Sequence, residues 1–412
     1  MARCLFITDR WPFPLQAFRY GTALRMRMLL QAAREAGHVI DLFCVPSWCD
    51  PQPADLTALQ ADFCELWGIQ IASLDAVASP APAPRTGQQL WRDLLRPALN
   101  PYWQDRFALT THPRQIDALA RVIARTKPDL ILSHRLSTMA LLRRLGRQLP
   151  PIVFDLDDVE TQAYIRTVRQ PPHWRTKPLQ YLQYPALANM QRWAIRKART
   201  TLVCSENDAR ALSTQYPAPA HVVAIPNAVP APDASVISSS QTVLFLGTYG
   251  YLPNVQAANL LTQKIWPLVH ARLPEARLLV AGRGCESLEG YQNPPAGVHF
   301  MGFVDDLNLL YQQTRVVACP ILTGSGTRIK IIEAALAGRP VVSTAIGAEG
   351  LLFDPARNEI AIRDDIDEFA AELLRLLNDM PACEEMGRRA RTLALQEYAE
   401  SAIVRMLASL LS

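Results

Sequence analysis

Five consecutive residues in the last third of the chain could bring the backbone close to a bound ligand. They are Gly324, Ser325, Gly326, Thr327 and Arg328, and they follow a short apolar segment. Apolar residues then recur at helical spacing, and Gly338 is placed to end that helix in a left-handed conformation. A glycine loop before a helix directs free N–H groups and the positive dipole end at one point, which suits phosphate. Lys330 adds a cation and Glu333 adds a carboxylate, so the segment predicts a site for a phosphate-containing ligand.

Strand-like and helix-like segments alternate on both sides of this loop. In the second half of the chain, strand-like runs occur at 242–247, 276–284, 298–306 and 316–320, with helical segments between the first two runs and between the last two. Such alternation is typical of a parallel, doubly wound sheet, in which ligands bind beyond the carboxyl ends of the strands. The first half alternates in the same way, so we expect two α/β domains.

Length and composition set the number of domains. With 412 residues the chain is too long for one ordinary core and long enough for two. A stretch rich in Pro, Ser and Ala at 230–241 predicts a linker between an N-terminal domain at 1–229 and a C-terminal domain at 242–394. Residues 395–412 have the pattern of a terminal helix.

Several classes of protein are disfavoured by the composition. No apolar run approaches the length that spans a bilayer, and Asp9 and Arg10 interrupt the N-terminal segment too early for a signal peptide. The eight cysteines are widely spaced without a Cys-x-x-Cys pair, which favours buried thiols over disulfides or a metal site. We therefore expect a cytoplasmic protein.

Charge is distributed unevenly along the chain. In residues 1–200, Lys and Arg exceed Asp and Glu by ten. This excess is an ordinary solvated surface, a face for an anionic membrane or a face for a pyrophosphate-linked acceptor. No aromatic pattern typical of nucleic-acid binding accompanies it. Within it, residues 90–111 set Trp91, Trp103 and Phe107 among three arginines, which fits either packed helices or an interfacial element.

The loop and its flanking segments resemble the C-terminal signature of retaining glycosyltransferases of the GT-B fold, specifically glycosyltransferase family 4. The resemblance covers residues 240–352 closely. It implies two Rossmann-like doubly wound domains facing a cleft, with the C-terminal helix packing back on the first domain. It also implies that Glu333 holds the ribose hydroxyls of a nucleotide-diphosphate-sugar donor and that the loop amides hold its diphosphate. The implied acceptor is a saccharide or a polyprenyl-linked sugar, and neither a cofactor nor a metal is implied.

Two departures from the family pattern concern the charges around the donor. Ser325 stands where the family usually has a glutamate eight residues before Glu333, and Thr248 stands where a basic residue often follows the strand that ends at Gly247. The resemblance then assigns the diphosphate charge to Arg328, Lys330 and Arg283. Departures of this kind resemble a subgroup that serves bacterial polysaccharide assembly.

Candidate catalytic residues follow strands of the first half. Asp157 and Asp158 end an apolar segment, and Asp157 stands where many family members carry a histidine that contacts the donor sugar. Either carboxylate could accept the proton of the acceptor or bind sugar hydroxyls. His134 also follows a strand, where a histidine is either catalytic or a structural hydrogen-bonding group.

The same acidic segment has two other interpretations. Asp155 and Asp157 form an Asp-x-Asp-x-Val pattern that resembles the first motif of haloacid-dehalogenase phosphatases, in which the first Asp is the nucleophile beside Mg²⁺. A metal site of the Asp-x-Asp transferase type is the second possibility. The position of the motif behind complete strand–helix units, and the loop at 324–328, favour a glycosyltransferase.

The acceptor site is predicted in the first domain. Residues 12–21 resemble the glycine-bearing acceptor loop of the family, and the candidate contacts are Arg19, Gly21 and Arg25. Two alternative functions are a nucleotide-sugar epimerase of related fold and a non-catalytic, glycosyltransferase-like partner subunit.

Overall fold

The chain forms two α/β units in its computed structural model. The structure describes residues 2–15, 21–46, 51–79, 100–102, 105–146, 148–169, 177–216, 221–231, 236–324 and 326–412. Contacts divide the chain into Met1–Pro226 with Ser401–Ser412, and Asn227–Glu400. The division falls slightly before the predicted domain end at residue 229, and the predicted linker lies inside the second unit.

The first unit contains a seven-stranded parallel sheet in the order β3-β2-β1-β4-β5-β6-β7. Its strands are β1 Arg3–Thr8, β2 Val39–Cys44, β3 Ile71–Ala76, β4 Leu130–His134, β5 Ile152–Asp157, β6 Thr200–Val203 and β7 Val222–Ala224. The helices are α1 Gly21–Glu35, α2 Pro53–Trp67, α3 Asp105–Ala108, α4 Pro113–Thr126, α5 Leu136–Leu145, α6 Glu160–Arg169, α7 Tyr184–Lys197 and α8 Glu206–Gln215. The central strands are buried on both faces because helices cover the sheet, as their continuous apolar runs predict.

The register of the central strands gathers polar residues at one edge of this sheet. Thr8, the last residue of β1, is level with His134 of β4, and His134 is level with Asp155 of β5. Parallel strands all end at the same edge, so side chains far apart in the sequence become neighbours there.

The second unit contains a six-stranded parallel sheet in the order β10-β9-β8-β11-β12-β13. Its strands are β8 Thr242–Leu246, β9 Arg277–Ala281, β10 Val298–Gly302, β11 Val316–Cys319, β12 Val341–Ser343 and β13 Ala361–Ile362. The helices are α9 Leu252–Leu260, α10 Trp266–Arg272, α11 Leu307–Gln313, α12 Ile329–Leu336, α13 Ile366–Asn378 and α14 Met380–Glu397. The strand order reverses between β8 and β11, which is where doubly wound sheets bind ligands.

One predicted helix differs in its interior. The sequence predicts a continuous helix from Pro253 to Arg272, whereas a π-helical turn, Leu261–Ile265, separates α9 from α10. Pro267, the second residue of α10, lacks a backbone N–H and would clash with the carbonyl four residues earlier in a regular helix. The wider turn accommodates the ring.

The last helix, α15 Glu400–Leu411, packs against the first unit. His38 Nε2 lies 2.8 Å from the carbonyl oxygen of Leu411, and Arg199 Nη2 donates to that of Leu410 at 2.8 Å. Both partners satisfy carbonyls that the helix end leaves without intrahelical donors. The predicted fold class, with its returning C-terminal helix, is confirmed.

The structure describes only some of the aromatic residues in 90–111. Phe107 is 3% exposed and packs in the core of the first unit, beside residues of α4 and α5. Trp91 and Trp103 lie outside the described residues. For Phe107 the structure therefore matches the packed-helix alternative.

Candidate active site

The loop between β11 and α12 has the backbone conformation that its glycines predict. Gly324 and Gly326 have φ values of +103° and +75°. A Cβ on Gly324 would lie 2.7 Å from the hydroxyl of Tyr251 and 3.2 Å from Nη2 of Arg328. Both the conformation and the space therefore require glycine at this position. Ser325 lies outside the described residues.

Arg328 stabilises the shape of this loop. Its Nη1 donates to the carbonyl oxygen of Gly326 at 2.6 Å, and its Nη2 donates to that of Thr323 at 3.2 Å. The side chain is buried, so its positive charge lies next to the loop while two of its nitrogens hold the loop's own carbonyls. The structure thus adds a positioning role that the predicted diphosphate contact did not include.

Lys330, in the first turn of α12, is held by the segment that follows β8. Its Nζ donates to Oδ1 of Asn254 at 2.8 Å and lies 4.5 Å from the ring centroid of Phe245. Asn254 in turn donates to the carbonyl oxygen of Thr248. A Cβ on Gly247 would lie 3.1 Å from Cγ of Asn254, so glycine there leaves room for this anchor. Burial lowers the pKa of Lys330 to about 8.

Glu333 lies one helical turn after Lys330. Its side chain retains some contact with solvent, but the surrounding protein desolvates the carboxyl group and raises its pKa to about 7. The charge of Lys330 opposes this increase and only partly offsets it. Near neutral pH the group is therefore divided between its acid and carboxylate forms.

Two further residues extend this region of the second unit. Asn227 Nδ2 donates to Oγ1 of Thr327 at 3.0 Å and fixes the end of the loop. Arg283 follows β9 and is exposed, with its guanidinium carbon 5.0 Å from the ring centroid of Phe303. Lys330 and Glu333 thus lie one helical turn apart directly after the loop, whereas Arg283 stacks on Phe303 after a neighbouring strand.

A buried ion pair lies at the carboxyl edge of the first sheet. Arg25 Nη2 and Nε lie 2.6 Å and 3.0 Å from Oδ1 of Asp155, and both side chains have no exposed surface. Arg25 Nη1 also donates to the carbonyl oxygen of Ile225 at 2.6 Å. Arg25 is thus a buried, paired cation in this structure, and its predicted contact with the acceptor stays a prediction. Gly21 begins α1, and Arg19 lies outside the described residues.

His134 lies next to this ion pair and is completely buried. Its Nδ1 is 3.0 Å from Oγ1 of Thr8, and its Nε2 is 3.8 Å from Oδ2 of Asp155. Burial lowers the pKa of His134 despite the nearby carboxylates, so the ring is neutral at physiological pH. In this arrangement the ring is a buried hydrogen-bonding group, which is one of the two predicted alternatives. The catalytic alternative stays a prediction.

Asp157 is the ionised carboxylate of this edge. It has φ +61° at a register shift between β5 and β6, and its Oδ1 accepts a hydrogen bond from Sγ of Cys204 at 3.3 Å. Burial by itself would raise the pKa of Asp157, but the charges of Arg135 and Arg25 outweigh it and lower the pKa. Asp158, the next residue, is partly exposed.

Two charged residues at this edge were not among the predicted candidates: Arg135, which lies near Asp157, and Asp9, whose charge interacts with Arg135. Arg135 has φ +76°, and its Nη1 lies 3.7 Å from Oδ2 of Asp157. Asp9 accepts a hydrogen bond from Oγ of Ser137 at 2.6 Å. Arg135 and Asp9 each directly follow a strand, and this position in the sequence could have indicated that they lie at the carboxyl edge of the sheet. Non-glycine residues at positive φ are uncommon, and two of them facing one another at a sheet edge are typical of a functional site.

The phosphatase interpretation conflicts with this geometry. Its nucleophile would be Asp155, whose carboxylate is buried and engaged by Arg25. A nucleophile must reach the reacting atom, and this oxygen does not reach the surface. Within the described ranges, no three His, Cys, Asp or Glu side chains gather as they would around a metal ion.

Two family models match the chain. The glycosyl transferase 4-like domain matches residues 20–228, and glycosyl transferases group 1 matches residues 240–379. A Klebsiella pneumoniae protein, named an uncharacterized 44.6 kDa protein in the cps region, is 21% identical over 164 residues. That match spans 38% of this chain and 42% of the length of that protein.

Solved structures show the same fold at low identity. Sucrose-phosphate synthase from Thermosynechococcus elongatus superposes with a TM-score of 0.69 at 15% identity, covering 100% of this chain and 98% of that one. The pneumococcal O-GlcNAc transferase GtfA, solved with UDP and GlcNAc, superposes with a TM-score of 0.67 at 12% identity, again covering 100% and 98%. Among the described helices, none is both long and apolar enough to cross a bilayer. The two family models and the fold agree. The chain belongs to the glycosyltransferase 4-like family, whose model matches its first half, and it is a glycosyltransferase of the GT-B fold.

Proposed function

We propose that this glycosyltransferase moves a sugar from a nucleotide-diphosphate-sugar donor to a saccharide or lipid-linked acceptor, with retention of the anomeric configuration. The observation that carries the proposal is the group formed by the 324–328 loop, Lys330 and Glu333 at the start of α12. It combines a glycine-bearing loop, a helix N-terminus, a cation and a carboxylate within two helical turns. The complex of GtfA with UDP and GlcNAc supports a nucleotide-sugar donor.

The donor diphosphate would be held by the loop amides, the N-terminus of α12 and the ammonium group of Lys330. The helix end and the cation each contribute on the order of 1–2 kcal/mol in a partly buried site. Because the nucleoside diphosphate leaves with the bonding electrons of the sugar, these fixed positive groups stabilise the charge that develops on it. Asn254 keeps the ammonium in place, so little reorganisation is needed during the reaction.

The carboxylate of Glu333 would accept hydrogen bonds from the ribose hydroxyls. Its position one turn beyond Lys330 fits a ligand whose ribose adjoins the diphosphate. In the first unit, Asp157 supplies an ionised carboxylate to the sugar being transferred or to the acceptor, and Asp158 is its neighbouring alternative. We propose that neither a metal nor a cofactor takes part.

Biologically, we place the reaction in bacterial polysaccharide or glycoconjugate biosynthesis. The family subgroup that the loop departures resemble, and the Klebsiella relative in the cps region, support this assignment. Peripheral contact with an anionic membrane stays a prediction from composition, because residues 80–99, 103 and 104 lie outside the described part.

Replacing Glu333 with glutamine should weaken donor binding by about 10- to 150-fold. The substitution removes the negative charge from the side chain that accepts hydrogen bonds from the ribose hydroxyls. Charge-assisted hydrogen bonds contribute about 1.5–3 kcal/mol. Isothermal titration calorimetry with UDP-, GDP- and ADP-sugars would identify the donor and measure the change. Glu384→Gln, at an exposed position of α14, is the matched control. Equal affinity in Glu333→Gln and the parent would contradict the ribose assignment.

Donor affinity should depend on pH with a maximum between about 7 and 8. Below pH 7, Glu333 takes up a proton and no longer offers a carboxylate, while above pH 8 Lys330 loses the charge that attracts the diphosphate. Titrations from pH 5.5 to 9.5 would give the profile. Glu333→Gln should remove the decline on the acid side and keep the decline on the alkaline side. A flat profile in the parent protein would rule out both roles.

The same experiments separate the alternative functions. An epimerase would convert or hydrolyse the donor without any acceptor. A non-catalytic partner subunit would bind the donor and transfer nothing across a broad panel of saccharide and lipid-linked acceptors. Formation of a glycosylated product with the anomeric configuration of the donor supports the proposed function.

A further inference from the structure

A cavity of about 330 Å³ lies in the first unit, at the edge of its sheet where β5 and β6 begin. Its lining residues are Leu142, Arg143, Gly146, Leu149, Trp193 and Lys197. They come from the last turns of α5 and α7 and from the loop that follows α5. Asp157 is the last residue of β5 and therefore lies at the opposite edge of the same sheet.

The chain around this cavity is basic throughout. Segments 136–154 and 177–204 together contain eight Lys or Arg residues and no Asp or Glu. Much of the charge excess of the first half is therefore carried by these two segments. Part of this positive charge complements the negative C-terminal ends of the dipoles of α5 and α7. Neither segment contains an acidic residue that could neutralise the remaining positive charge.

Arg143 is fixed in place without an acidic partner. Its guanidinium carbon lies 3.5 Å from the ring centroid of Tyr102 and 5.7 Å from that of Trp193. Its Nε is buried and makes no hydrogen bond within the described part of the chain. A guanidinium held by aromatic rings keeps its N–H donors in one plane and available to a ligand.

The other walls of the cavity offer different contacts. Lys197 is exposed and forms no ion pair among the described residues, whereas Leu142, Leu149 and Trp193 are apolar. A buried donor without a protein partner is costly, and in a native structure it calls for an explanation such as a bound water or ion. An anion that carries an apolar or ring-shaped group could contact the basic side chains and the apolar side chains of the cavity at the same time.

We propose that this cavity binds the phosphate group of an organic phosphate. Arg143 donates to the phosphate oxygens, Lys197 adds a second positive charge, and Trp193 packs against the organic part. A planar guanidinium matches phosphate geometry, and a lysine supplies the point charge that commonly accompanies it. The phosphate belongs either to a lipid headgroup or to a small soluble metabolite.

Fluorine NMR of protein labelled with 5-fluorotryptophan tests the proposal, because one of the eight tryptophan resonances, that of Trp193, belongs to the cavity lining. The Trp193 resonance is assigned from its loss in Trp193→Phe. We expect inorganic pyrophosphate to shift it in a saturable manner, and Arg143→Gln to weaken that binding about tenfold or more. Arg196→Gln, on the same helix but outside the cavity lining, is the matched control and should bind as the parent does.

A second arm distinguishes the two sources of phosphate. Sedimentation with phosphatidylglycerol vesicles is compared for the parent, Arg143→Gln and Arg196→Gln at low and high salt. Loss of sedimentation in Arg143→Gln alone identifies a lipid-borne phosphate, and unchanged sedimentation with lost pyrophosphate binding identifies a soluble one. No shift of the Trp193 resonance in the parent, or equal weakening in both arginine variants, would overturn the proposal. Donor binding by the second unit should be unchanged in every variant, so this outcome is independent of the proposed function.

Discussion

Replacing Arg25 with methionine should lower the free energy of unfolding by about 3–5 kcal/mol. The substitution keeps most of the side-chain volume but leaves the carboxylate of Asp155 buried and without its cation. Arg25 and Asp155 have no exposed surface, so water cannot compensate for the lost charge. Arg25 also donates to the carbonyl oxygen of Ile225, which loses its partner too.

Urea unfolding followed by circular dichroism would measure this loss. Removing both charges in Arg25→Met, Asp155→Leu should recover most of the stability, because a well-packed apolar pair replaces a buried ion pair at little net cost. Arg121→Met, at an exposed position of α4, is the control and should change stability by less than about 0.5 kcal/mol. If Arg25→Met were as stable as this control, the ion pair would have no structural role.

Replacing Asp157 with asparagine should reduce glycosyl transfer by about 10²–10³-fold while the donor affinity stays nearly unchanged. Such losses are typical when a preorganised charge next to the reacting centre is removed. The lowered pKa of Asp157 keeps the carboxylate charged at neutral pH and makes it a weak base. Hydrogen bonding to sugar hydroxyls, and stabilisation of positive charge at the anomeric carbon, therefore suit it better than proton abstraction.

Asparagine is the informative substitution at this position. Asp157 has φ +61°, a conformation that asparagine tolerates, and the two side chains have nearly the same shape. Loss of turnover with an unchanged melting temperature would therefore report on the charge. Asp158→Asn, run in parallel, tests the neighbouring carboxylate, and Asp117→Asn on the exposed face of α4 is the control. Full activity of Asp157→Asn would exclude Asp157 from the reaction.

Much of the second unit could be predicted because its signals are local. The spacing of apolar residues shows where strands and helices alternate, and this alternation implies a parallel sheet. The glycines at 324 and 326 adopt left-handed conformations that few other residues tolerate, so their positions in the sequence indicated the loop. Lys330 and Glu333 lie on the helix that the loop begins, so their separation follows from helix geometry.

Burial of these polar residues in the first unit could not be predicted from the sequence. Arg25 was proposed as an acceptor contact because it lies near the predicted acceptor loop, and His134 was proposed as either catalytic or structural because it follows a strand. In the structure both are completely buried around Asp155. A charged residue is normally exposed unless it is paired, and its partner here is 130 positions away in the sequence. No local pattern reveals such a pairing.

The sequence by itself therefore determined the fold class, the loop and the residues at the start of α12, because each depends on neighbours within a few turns. Only the tertiary structure decided which polar residues reach the surface. The register of β1, β4 and β5 brings Thr8, His134 and Asp155 to the same level, and Arg25 then neutralises the buried acid. Asn254 was likewise recognisable as the anchor of Lys330 only after the two chain segments had been brought together. Burial and ion pairing between distant segments are properties of the assembled sheet, since the desolvation that fixes each charge state exists only when the chain is folded.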